Sequence, residues 1–412
     1  MERVQYRRNS TIPIRDIVFP PPAVLDTATL HRRWAPWFEL RDSIDSPVRA
    51  RHAPLLAAML SGRMESAVPN WFSIISPAGT REQLVRQSRS DDHLCPAPDS
   101  LPPALAGSHW QMLAVGVRNW PQQDPNRQVL LVQLLTQLGF HDTVAELVPR
   151  VTVRAGDPTG QQLAFEVARS GRLLDRKSKA PLRVFDWLTE HADHPSLRVS
   201  SAIQLASALT RAHRDHSTAI SWIYRADQES TQLGIGPDWL WHLLRSRRHR
   251  VAALIAARGG DHGRSAEEMR SALDHDDRLA DLAHDRFTRH YQRENRALVI
   301  EAFLKLDTIT GRDSAPAGIV ESATRVDAYD PDLRFTAGSY LAGRERWDQA
   351  LVAFLAAADS GTIRGAVGAF RAGLCLQRLR RPEAARRAYR LCLDLDPVSI
   401  SAAERLSAGA TS

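Results

Sequence analysis

Two stretches near the C-terminus decide the fold: FTAGSYLAGRERWDQALVAFLAAA at residues 335–358 and FRAGLCLQRLRRPEAARRAYRLCLDLDP at residues 370–397. Slid by 35 residues, they superimpose: Gly338 falls on Gly373, Ala350 on Ala385 and Phe354 on Tyr389. The first unit runs Ala337-Gly338, Leu341, Trp347, Ala350, Phe354, Ala357. The second runs Ala372-Gly373, Leu376, Ala385, Tyr389, Cys392, Pro397. Small residues belong where paired helices approach most closely. An aromatic fills the gap between successive pairs, and proline ends the second helix.

Upstream, the punctuation is that of helices. Asp124-Pro125 starts one that runs through Val129, Leu130, Val132, Leu134, Leu135 and Leu138 to a stop at Gly139. Asp157-Pro158 repeats the start, with a stop at Gly171, and Asp330-Pro331 repeats it again, with a stop near Gly343. An aspartate cap satisfies orphan N–H groups, proline at the first turn loses nothing, and glycine accepts the left-handed exit. Pro181, Pro195, Gly236-Pro237 and Pro316 mark further starts, and Ser265-Ala266-Glu267-Glu268 reads as a capping box. Strand signals are nearly absent, and Val151-Thr152-Val153 is too short to count as one. Residues 124–412 therefore read as antiparallel helix pairs.

Residues 1–123 differ. Of the chain's 24 prolines, 15 fall within residues 1–125, together with Trp34, Trp37, Trp71, Trp110 and Trp120. Thr80-Arg81-Glu82-Gln83 is a capping box, and Ser46-Pro47 opens another short helix. This segment is expected to be an irregular helical cap.

The repeating unit resembles the tetratricopeptide repeat, with small, aromatic and proline positions in the same order over a period of about 34 residues. The resemblance covers residues 331–399. It continues more weakly over 246–279, where Gly260, Ser265, Met269 and Ala272 take the corresponding places, and near Gly139, Val144, Ala219 and Ala226. One departure is Arg380, which stands where a glycine usually opens the inter-helix turn. The resemblance implies an all-α, right-handed superhelical solenoid of helix hairpins. It also implies a groove, lined by the first helix of each pair, that holds a protein or peptide segment.

In that register the last unit turns Val367, Phe370, Arg371, Leu374, Gln377 and Arg378 inward, and the preceding one Asp332, Phe335, Thr336 and Ser339. The weak unit offers Arg247, Arg250 and Arg258. Such a groove is basic with aromatic spots and suits an acidic peptide, because guanidinium groups pair carboxylates bidentately.

Composition limits the alternatives. The chain has 412 residues, is 43% hydrophobic and 25% charged, and carries a formal net charge of +7. Collagen, low-complexity disorder and a disulfide scaffold are excluded, and a mean hydropathy of −0.32 with no run of about 18 apolar residues excludes a transmembrane helix. Met1 to Asp16 lacks the apolar core of a secretory signal, so the expected compartment is the cytoplasm. Lysine occurs only at positions 177, 179 and 305, so the positive charge is almost all arginine. Arginine runs at Arg245–Arg250, beside Trp239 and Trp241, and at Arg378–Arg390 make nucleic acid an alternative ligand, ranked below protein because solvated helix faces look the same.

No phosphate loop, dinucleotide fingerprint or nucleophile elbow occurs, and no cofactor is expected. Cys375 and Cys392 read as small apolar filler. One stretch is chemically suggestive. Asp277, Asp281 and either His284 or Asp285 fall on one helix face, where carboxylate plus imidazole at this spacing can ligate a divalent metal, and the hydrolase alternative uses His275, Asp277, Asp281, His284 and Asp285. The His284-Asp285 pair resembles metal-dependent phosphohydrolases built from helices. The competing reading pairs these aspartates with Arg278, Arg286 and Arg289 on a solvated helix surface. The sequence thus favours a non-enzymatic protein- or peptide-binding scaffold or adaptor over a helical metal-dependent hydrolase.

Overall fold

The computed structural model describes residues 14–18, 116–117, 119–138, 141–174, 178–231, 238–284, 286–312, 315–316, 318–326, 330–358, 363–395 and 399–408. Among the described residues, fifteen α-helices follow one another: α1 (Pro125–Leu138), α2 (His141–Leu147), α3 (Pro158–Leu174), α4 (Ala180–His191), α5 (Pro195–Ala208), α6 (His216–Ser230), α7 (Asp238–Arg258), α8 (His262–Leu282), α9 (Arg286–Thr310), α10 (Ile319–Val326), α11 (Pro331–Ala342), α12 (Trp347–Ala358), α13 (Ile363–Arg378), α14 (Pro382–Leu395) and α15 (Ile400–Ala408). The aspartate starts behave as expected. Asp124 Oδ1 accepts from Asn126 and Arg127, Asp157 Oδ1 from Gly160, and Asp330 Oδ1 from Asp332 and Leu333, at 2.9–3.1 Å.

Each helix packs on the next, so the chain is a stack of hairpins. From α3 to α13 each odd-numbered helix also packs on the next odd-numbered one, whereas successive even-numbered helices make no comparable contact. The stack is therefore curved, with the odd helices crowded together on its inner side. The core divides within α7. Leu240, Leu243 and Leu244 belong to an N-terminal cluster that includes Phe165 and Phe185. Ala253 and Ala257 belong to a C-terminal cluster built on Phe303, Phe354 and Tyr389.

The 35-residue period has a steric basis. A Cβ at Gly338 would lie 2.7 Å from the ring of Phe354, and one at Gly373 would lie 2.3 Å from that of Tyr389. Each glycine is the seat for the aromatic of its own hairpin. Ala350, Ala385, Phe354 and Tyr389 are all buried. The turns repeat as well. Gly260, Glu345 and Arg380 adopt the left-handed conformation, with φ of 83°, 58° and 57°. In each turn the following amide donates to a carbonyl near the end of the first helix: Asp261 to Ala256, Arg346 to Leu341, Arg381 to Leu376. The departure at Arg380 is thus accommodated by a non-glycine residue in the same strained turn. The α7–α8 hairpin is a true unit of the series, with Ser265 at the Ala350 position and Met269 at the Phe354 position, both buried.

Three expectations are corrected. Val151–Val153 does form a strand: β2 (Arg150–Arg154) pairs antiparallel with β1 (Ile14–Val18), Ile14 opposite Arg154, in the only sheet among the described residues. The ribbon packs on α3 and α4, and Val151 and Val153 enter the core while Arg150 and Arg154 stay exposed. The strand was hidden because its partner lies more than a hundred residues away in sequence. Gly171 does not stop α3, which continues to Leu174. Ser265 does not cap α8. Asp261 does, accepting from Arg264 at 3.0 Å, which frees Glu268 for other contacts. The capping box at Thr80, the start at Ser46-Pro47, Cys95, Gly139 and Gly236-Pro237 lie outside the described residues.

Candidate functional site

The left-handed turn sets the register of the inner wall. Ten residues before it stand Arg250, Phe335 and Phe370, and thirteen before it Arg247, Asp332 and Val367. Phe335 and Phe370 are half-buried and rest on the rings of Phe354 and Tyr389, with centroids 5.5 and 5.6 Å apart. Arg371, Gln377 and Arg378 are exposed at the far end, where the Arg378 guanidinium lies 5.8 Å from the Trp347 ring. Arg258 does a different job. Its Nη1 donates to the Thr210 carbonyl at 2.7 Å, tying α7 to the π-helical turn Leu209–His213.

Arg247 and Arg250 are not on a solvated face. Both are half-buried among charged neighbours of α3 and α9. Desolvation, reinforced by Arg169, lowers Arg247 from 12.5 to about 10, and desolvation with Arg247 lowers Arg250 to about 9. Both remain cations at neutral pH. The carboxylates around them are committed elsewhere. The buried Glu166 pairs with Arg169 at 3.0 Å, and burial pushes its carboxyl up against the pull of Arg169 and Arg247. Glu301 pairs with Lys305. Asp276, also buried, takes Arg296 and accepts from Asn295 Nδ2 at 2.7 Å. Burial raises the Asp276 carboxyl to about 6 despite the Arg296 guanidinium. Asn295 also donates to Ser246 Oγ, which donates onward to the Ala272 carbonyl, so a polar chain runs through α7, α8 and α9.

The α7–α8 hairpin is longer than the C-terminal ones, and its open end carries a histidine cluster. His242 Nδ1 lies 2.9 Å from His275 Nδ1, and the His249 ring stacks on His275 with centroids 5.4 Å apart. Trp241 meets both His242 and His275 edge-on. His249 and Arg248 share Glu268 Oε2, at 2.7 and 2.8 Å. Burial, then His249, His242, Arg245 and Arg278, depress His275 to about 3.

The metal-site alternative is not assembled as the spacing suggested. His275 turns to His242. Asp277 is exposed and paired with Arg296 rather than Arg278. Asp281 and His284 are exposed, and Asp285 lies outside the described residues. Among the described residues, no group of three His, Cys, Asp or Glu side chains is placed to hold a metal ion. Helical spacing singled out Asp277, whereas Asp276, one residue along, is the aspartate buried against α9. Glu166 and Asn295 escaped the sequence reading entirely, and Glu268 entered it only as the end of a capping box. Their only signal is a polar residue on an otherwise apolar helix face.

No family model matches the chain, and no curated protein is similar to it. Among solved structures, the chain is similar to YrrB, described as a TPR protein with an unusual peptide-binding site. The likeness has 14% identity and a TM-score of 0.31, and covers 50% of this chain and 89% of that one.

Proposed function

We propose that this chain is a tetratricopeptide-like scaffold that binds a protein or peptide segment along its curved inner wall, without catalysing a reaction. The observation that carries the reading is the wall itself. Successive first helices abut from α3 to α13 and present half-buried aromatic and arginine side chains at the same repeat position, Arg250, Phe335 and Phe370. A wall of this kind offers apolar area and charge over several hairpins at once, which suits an extended segment. Arg371, Gln377 and Arg378 extend the basic character of the groove at its C-terminal end.

Photo-crosslinking tests it. A photoreactive residue placed at Leu298 or Arg371, on first helices, is expected to capture the same partner in cells. The same residue at Val352 or Arg390, on second helices, is expected not to. Equal capture from both sides, or capture only from Val352 and Arg390, overturns the reading.

A further inference from the structure

We propose that Arg247 and Arg250 form a seat on the inner wall for the carboxylate of an acidic residue that is followed by an apolar one in the partner's chain. The inference rests on the protein-binding reading above and names the chemistry that the wall selects. The two guanidinium groups lie one turn apart on α7. Arg247 makes no hydrogen bond or ion pair among the described residues. Arg250 has one long contact, Nη2 to Asn295 Oδ1 at 3.4 Å, and its buried Nε has no acceptor. Carboxylates act on both from a distance, Glu166 and Glu294 on Arg247 and Glu301 and Asp276 on Arg250, but neither half-desolvated cation has a close carboxylate partner among the described residues, and buried cations are ordinarily paired directly. The repeat plan does not require them, since the equivalents of Arg250 in the two C-terminal hairpins are Phe335 and Phe370, which pack on Phe354 and Tyr389.

Of the carboxylates that act on the pair, Glu166 is also held by Arg169, Glu301 by Lys305 and Asp276 by Arg296, and Glu294 acts on Arg247 from α9. What is left is two guanidinium groups with donors to spare, and a planar donor fork of this kind pairs a carboxylate bidentately. Leu298, 41% exposed, lies on α9 between Glu294, which acts on Arg247, and Glu301, which acts on Arg250. It supplies an apolar contact beside the charge, hence an acidic residue with an apolar neighbour.

The test uses the full chain and a short fluorescein-labelled peptide alternating Glu and Leu, read by fluorescence anisotropy. Wild type is expected to bind it. The Arg247→Gln, Arg250→Gln double variant is expected to lose at least about tenfold in affinity, or about 1.4 kcal/mol. The same loss is expected for wild type with a Gln-Leu peptide. Arg387→Gln with Arg390→Gln, which removes equal charge from exposed positions on α14, is expected to change affinity less than about twofold, a surface effect. The seat variant is also expected to melt at or above the wild-type temperature, because it loses two cations whose desolvation no direct ion pair offsets, and this separates lost binding from lost folding. No binding by wild type, equal binding by the seat variant, or equal binding of the Gln-Leu peptide each overturns the seat. So does tighter binding of an oligothymidylate that the seat variant abolishes, which would make the ligand a nucleic acid. Crosslinking from Leu298 and Arg371 judges the protein-binding reading separately.

Discussion

The C-terminal hairpins, α11–α12 and α13–α14, and the central hairpin α7–α8 share one backbone plan and fill it with opposite chemistry. Both close on a left-handed turn, and both bury a small residue five positions later and a large one nine positions later. In the C-terminal pair the interior is glycine, alanine and aromatic rings. In the central hairpin and the adjoining α9 it is Ser246, Asp276 and Asn295, with Arg247 and Arg250 behind them. The geometry of the repeat thus depends on close approach at a few small residues, and the remaining positions are free to vary. Where they became polar, Ser246, Asp276 and Asn295 hydrogen-bond to one another or to the backbone, whereas Arg247 has no direct hydrogen bond or ion pair among the described residues and Arg250 only a long one.

The contrast is testable by stability. Phe354→Ala empties the seat over Gly338 and is expected to cost about 3–5 kcal/mol in urea unfolding. A cost below about 1 kcal/mol would mean that the aromatic interlock does not hold the C-terminal hairpins together. In the central region, Asn295→Ala removes a donor shared by Ser246 and Asp276 and is expected to cost about 1–3 kcal/mol. If it proves neutral, the polar chain is decoration and the central hairpin stands on its apolar contacts, like its neighbours.

The shared turn predicts a gain. Arg380→Gly relieves a side chain held in the left-handed region and is expected to stabilise by about 1 kcal/mol, whereas Gly260→Ala is expected to lose a similar amount. Opposite signs in the two hairpins would confirm one common turn, and equal signs would break the alignment.

The smallest effect expected is from pH. His275 titrates near 3 in the folded chain against 6.5 in the unfolded one, so the unfolded chain binds more protons between those values. Its contribution is complete above pH 6.5 and is lost as pH falls through that window. His141, lowered to about 4 by burial and Arg169, acts in the same direction, while Asp276, raised to about 6, opposes both. Comparing wild type with His275→Gln isolates the cluster. The variant is expected to lose less melting temperature between pH 7 and pH 4.5, and parallel curves would show that the His242–His275 contact contributes nothing specific. Scanning the C-terminal hairpins in the same way should show no histidine-linked loss, since α11–α14 contain none.

Sequence by itself determined the helices, their aspartate starts and the 35-residue step. These depend on local chemistry: caps within three residues, and glycine opposite an aromatic in the same hairpin. It also placed Gly260, Ser265 and Met269 in register, because a turn and two buried positions suffice to mark a unit. Tertiary structure alone decided the rest. Strand β2 needed a partner from residues 14–18 to satisfy its backbone. Asp276 rather than Asp277 is buried against α9, because helix packing angles and not spacing choose the buried face. Arg258 became a structural tie and Arg250 a desolvated cation, although both lie in one arginine-rich helix. The charge on a side chain is written in the sequence, but the water and counterions left to it are set by neighbours that only folding brings near.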